Sequence, residues 1–133
     1  MTYRVLTLIV LLSLLCPTVN AQEMLCIMEP KGGDAVSHTP IVKGKVQDLS
    51  STIWVVVHPL GTNEYWVQPK VAQKTEGEWD VRIYIGRPGS VDIGKRFRIM
   101  AVANPEQALK EGDVFQAWPK AQWQSQIVEV TRK

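Results

Sequence analysis

The residue pattern predicts an all-β fold, an antiparallel β-sandwich of about seven strands with one short helical insert. Two observations carry it. Apolar residues recur at alternate positions through several short runs, the period that places one face of a strand in a core. Turn-forming clusters separate those runs at intervals of mostly about eight to twelve residues, the spacing expected of a sandwich or barrel.

In chain order, Leu25 and Ile27 alternate with Cys26 and Met28, and Pro30-Lys-Gly-Gly-Asp34 ends that run. Next, Val42, Gly44 and Val46 share a side of 40–46. The segments 54–58 and 64–68 form two halves of an aromatic-rich stretch joined by Pro59-Leu-Gly-Thr-Asn63. The cleanest alternation is Glu78–Ile85, with Trp79, Val81, Ile83 and Ile85 on one face and Glu78, Asp80, Arg82 and Tyr84 on the other. Phe97, Ile99 and Ala101 repeat the pattern, and the β-branched run Gln126–Thr131 reads as a closing strand. The exception is Asn104-Pro-Glu-Gln-Ala-Leu-Lys-Glu-Gly112, with Asn at an N-cap position, Pro at the first helical position and Gly just past the end. It predicts a short helix, followed by a long connection that holds Phe115, Trp118 and Trp123.

The aromatic residues are the candidate ligand-binding set: Trp54, Tyr65, Trp66, Trp118 and Trp123. If Ile53, Val55 and Val57 face the core, Trp54 and His58 face outward, and Trp66 lies opposite in phase to Tyr65. Two readings stand side by side. Aromatics pair across a hairpin and support the sheet, or they form a platform for a flat sugar face or an apolar partner. Phe115, Trp118 and Trp123 either cap one end of the sandwich or belong to a binding loop. Trp79, on the cleanest apolar face, is assigned to the core. Arg87, Arg96 and Arg98 are outward, either solvated or facing an acidic partner.

Residues 1–21 have the order of a secretory signal peptide: Arg4, the apolar run Val5–Leu15, and Val19-Asn-Ala21 with small residues at the cleavage positions. Leu15 before Cys16 does not fit a lipidation site. The apolar run is short for a bilayer span, so no stable membrane span is expected after cleavage. Residues 22–133 then form one domain with no repeat or linker. They hold all 13 acidic residues and all of the 15 basic ones except Arg4, so positive charge exceeds negative by one. The signs are interspersed and no basic run tracks phosphates, which disfavours nucleic acid as a partner. Cys26 is the one cysteine left after cleavage, read as a small buried residue or as a reactive or intermolecular thiol.

Catalytic signals are sparse. His38 and His58 are the only histidines. Ser37, His38 and Asp34 are chain neighbours, which rarely supply triad geometry, and no G-x-S-x-G elbow is present. No zinc or calcium motif occurs. The expectation is therefore no catalytic residues, no metal and no cofactor.

The chain resembles bacterial immunoglobulin-like domains. Ile27-Met-Glu-Pro30, Gly32-Gly33, Val36, Val42-Lys-Gly44, the 54–57 strand, Glu76-Gly-Glu-Trp79 and Gly94-Lys-Arg-Phe97-Arg-Ile99 carry the resemblance over nearly all of 22–133. The two disulfide cysteines of antibody-type domains are missing. The resemblance implies an exported, periplasmic or secreted, non-catalytic module that binds a protein or carbohydrate at the envelope. A second expectation is a structural subunit that lends an edge strand to an assembly. A hydrolase is the third and least favoured.

Overall fold

The computed structural model describes residues 24–73 and 75–133. The signal peptide read at 1–21 lies outside the described residues. The strands are β1 (Leu25–Glu29), β2 (Ala35–Val36), β3 (Ile41–Val46), β4 (Ile53–Pro59), β5 (Tyr65–Val67), β6 (Ala72–Gln73), β7 (Glu78–Arg82), β8 (Arg96–Pro105), β9 (Val114–Phe115), β10 (Ala121–Gln124) and β11 (Val128–Arg132). They form two sheets. The smaller runs β1-β3-β7-β6, and the larger runs β2-β11-β8-β4-β5-β9, with β10 also paired to β8. All pairings are antiparallel except β2 with β11.

Eleven segments replace the expected seven or so because four short ones are added: β2 after the first run, β6 before β7, and β9 and β10 inside the stretch expected to be a long connection. The chain leaves β1 of the smaller sheet, turns at Lys31–Asp34, and enters β2 beside β11 in the larger one. At the other end, Ser125–Ile127 separates β10 from β11. The break is bridged by side chains. Ser125 Oγ accepts the Ala101 N–H at 2.8 Å. The Gln126 carboxamide accepts the Ile27 N–H at 3.1 Å and donates to the Ile27 carbonyl at 2.8 Å, as a neighbouring strand would.

The expected helix over 104–112 is not formed. Asn104 adopts φ 55°, and its groups pair with Thr52 instead of capping a helix: the Asn104 N–H donates to Thr52 O, and Asn104 Oδ1 accepts the Thr52 N–H at 3.0 Å. Glu106 N–H then bonds Lys120 O, so the chain continues the β8–β10 ladder. Tertiary hydrogen bonds override a local capping pattern. Among the described residues, no helix is long and apolar enough to cross a membrane.

The inner core lies between the sheets, where the alternating residues meet as expected: Val42, Val55, Trp79, Ile83, Ile85 and Ile99 are buried there with their neighbours. Gly44 pairs with Trp79 in register, and a Cβ on it would collide with the indole ring and the Cys26 carbonyl. The glycine therefore leaves room for the indole. The ladder continues irregularly past Arg82, since Ile83 and Ile85 N–H groups bond Pro40 and His38 carbonyls. Cys26 is fully buried in β1, as its reading as a small buried residue expects, and is disulfide-bonded and not a reactive thiol.

A second apolar cluster covers the outer face of the larger sheet. Trp54, Val56, Met100 and Val102 point away from the inner core, as alternation demands, and the connection that follows β8 folds back over them with Leu109, Phe115 and Trp118.

Candidate ligand groove

Alternation across the β4–β5 pair sorts the candidate aromatics. Val56 opposes Val67 and Val57 opposes Trp66, and directly opposed residues share a face. Tyr65 and Val67 thus lie on the covered outer side, while Trp66 lies on the inner side at the margin of the sandwich.

On the outer side, Tyr65 stacks on His58 with ring centroids 4.0 Å apart and planes 4° from parallel. Trp118 meets both edge-on, at 4.8 Å from Tyr65 and 5.9 Å from His58. His58 Nδ1 lies 3.0 Å from the Glu64 carbonyl oxygen. Trp54 is 9% exposed beneath the same cover. The expectation of outward, accessible Trp54 and His58 is therefore corrected: both face outward from the sheet, but residues 109–118 roof that face. Tyr65 and Trp118 are half-buried, and Trp123 packs against the inner core. The structure thus unites Trp54, Tyr65 and Trp118 and separates Trp66 and Trp123 from them.

Trp66 is 39% exposed and lines a groove of about 820 Å³. Val57 and Phe97 of the inner core contribute to its lining, as does Tyr84, which is 49% exposed. Gln68 ties the two aromatic walls together. Its Nε2 donates to Trp66 O at 3.3 Å, and its Oε1 accepts the Tyr84 N–H at 2.8 Å. The Trp66 indole N–H donates to Glu64 Oε1 at 3.2 Å, which orients the ring.

The opposite wall is the loop from Gly86 to Lys95, built around two buried charges. The Asp92 carboxylate accepts the Arg87 backbone N–H at 2.7 Å and the Arg87 guanidinium at 3.0 and 3.2 Å, and it pairs with Lys95 Nζ at 3.0 Å. Hydrogen bonds from the Arg87 side chain first, then its backbone and Lys95, hold the Asp92 carboxyl well below the usual carboxylate range. The same contact raises the Arg87 guanidinium. Arg132, at the end of β11, is buried and donates to the carbonyls of Ile85, Arg87 and Gly89. Gly86 has φ 75°, and a Cβ there would crowd Asp92 and Phe97. The loop conformation is thus set by several independent bonds. Arg96 and Arg98 both reach Glu129 on the neighbouring strand, so these outward arginines are held along the sheet.

Tyr84, Gln68, Asp92 and Arg132 were not among the sequence candidates. Two left a signal. Tyr84 is an aromatic on the polar face of its strand, and Arg132 continues the inward phase of Val128 and Val130. An arginine in that phase demands buried acceptors. Gln68 follows β5 in phase with Trp66, whereas Asp92 lies in a turn and gave no periodic signal.

The histidines lie apart in role. His58 sits inside the aromatic stack, and His38 Nδ1 is 3.5 Å from the Ile85 carbonyl with its ring tilted against Tyr84. Asp34 accepts the Lys31 N–H in the first turn. Among the described residues, no group of three or more His, Cys, Asp and Glu side chains is placed to hold a metal ion. Comparison with family models, with curated proteins and with solved structures finds no match to this chain.

Proposed function

We propose that this protein is an exported, non-catalytic binding module of immunoglobulin-like architecture, acting on a protein or carbohydrate of the bacterial envelope. The carrying observation is the groove of about 820 Å³ with Trp66 and Tyr84 exposed on its walls and a preformed loop opposite. Exposed aromatics in a concave, mostly apolar site are the usual material of ligand recognition. The immunoglobulin-like reading is supported by the division of the first strand, antiparallel to β3 in one sheet and, after the turn, parallel to the last strand in the other. Export is supported by the charged, apolar and small-residue order of 1–21. The intact mass of the protein recovered from the cell envelope tests cleavage after Ala21.

The edge-strand reading has less support. Of the outermost strands, β2, β6 and β9 have two residues each, and along the fourth, β1, Gln126 already occupies the Ile27 position. Short edges are poor templates for strand addition. Hydrogen exchange with and without solubilised envelope material separates the two. Protection at 65–68 and 84–96 supports the groove. Protection confined to β1, β2, β6 or β9 transfers the role to an edge. No protection anywhere rejects binding to that material.

A further inference from the structure

The groove differs from a simple sugar platform in its apolar lining and in the placement of its charges. Val91 and Ile93 flank the buried Asp92 and are 55% and 54% exposed. Val114, paired with Trp66 across β5 and β9, is exposed as well. The groove itself is lined, beside Trp66 and Tyr84, by Val57, Leu60, Val67 and Phe97. Aliphatic side chains offer nothing to a sugar hydroxyl and match apolar side chains of a protein. The charges are segregated. Arg87 and Lys95 line the loop side, beside β11, where Asp92 is shared by both, while Glu111 lies beside β5 at the far side of the sheet. Such a groove is electrically polar across its width.

Resting on the binding-module reading above, we infer that the groove takes an extended protein segment in which a large apolar residue stands between an acidic and a basic one. The apolar residue packs against Trp66 and Tyr84. The acidic residue faces Arg87 and Lys95, and the basic one faces Glu111. The two charges set the direction in which the segment lies. The loop is already held by Asp92 and Arg132, so little ordering is needed on binding.

The test is selection of random twelve-residue peptides displayed on phage against the full-length protein, with a glycan array probed in parallel. The selected peptides are expected to share an apolar residue with opposite charges on its two sides. Trp66→Ala and, separately, Tyr84→Ala weaken binding by roughly tenfold. Glu111→Lys weakens it by a few-fold at low salt, and reversing the basic residue of the peptide restores it. Rescue by that paired reversal supports the inference. Selected peptides without opposed charges, or reversal without rescue, overturn it. A glycan whose binding depends on Trp66, with no selected peptide, overturns it while leaving the binding-module reading intact. Neither peptide nor glycan binding removes both.

Discussion

The two sides of the β4–β5 hairpin carry the same kinds of residue and meet opposite fates. On one side Trp54, His58 and Tyr65 are roofed by Leu109, Phe115 and Trp118. On the other, Trp66 stands open beside a groove and a rigid loop. Hydrophobicity does not distinguish them. What differs is whether another part of the chain covers the face. The roof comes from a connection some fifty residues downstream in sequence, so exposure here is decided by tertiary structure and not by the hairpin itself.

The comparison is sharpened first by the inner core that both sides rest on. Trp79→Ala is expected to cost about 3–5 kcal/mol, read by denaturant unfolding. Gly44→Ala should cost about 1–3 kcal/mol, because the added methyl meets the indole and the Cys26 carbonyl. A near-neutral Gly44→Ala would mean that the indole does not lie against this glycine. The roof comes next. Leu109→Ala should cost about 2 kcal/mol, at the low end for leucine because the site is near the surface. It should also raise acrylamide quenching of tryptophan fluorescence as Trp54 gains solvent.

How much of this was readable from residues alone follows the same division. The strand faces through Trp79–Ile85 and Phe97–Ala101 were legible because alternation is local and one face of each meets a core. The phase of Trp54 was legible too, but not its burial. The helix signal at 104–112 misled because capping patterns report local preference, whereas Asn104 is committed to Thr52 across a strand pair. Of the candidate aromatics, Trp66 reached the groove, and its companion Tyr84 was passed over as an outward strand residue. The loop wall depends on Asp92 and Arg132, brought together from 40 residues apart by the β8–β11 pairing and the bonds of Arg132 with Gly94 and Lys95.

That loop gives a pH test. The folded Asp92 carboxyl titrates below its unfolded value of about 3.9. Its contribution to stability is therefore complete above roughly pH 5 and is lost as the pH falls through and below about 4. Asp92→Asn should be less stable than the parent at neutral pH, and the gap should close in acid. A gap independent of pH would show that the carboxylate charge does not hold the loop. The smallest effect is expected at Trp66. Trp66→Ala should change stability by no more than about 0.5 kcal/mol, as for an exposed position outside the core.

The most direct test of the contrast between the roofed and open sides is oxidative footprinting of the folded protein, read tryptophan by tryptophan by mass spectrometry. Trp66 should be modified fastest, Trp118 and Trp123 more slowly, and Trp54 and Trp79 least. Trp54 reacting as fast as Trp66 would contradict the account, since the outer face would then be open and the groove no longer the distinct surface of this protein.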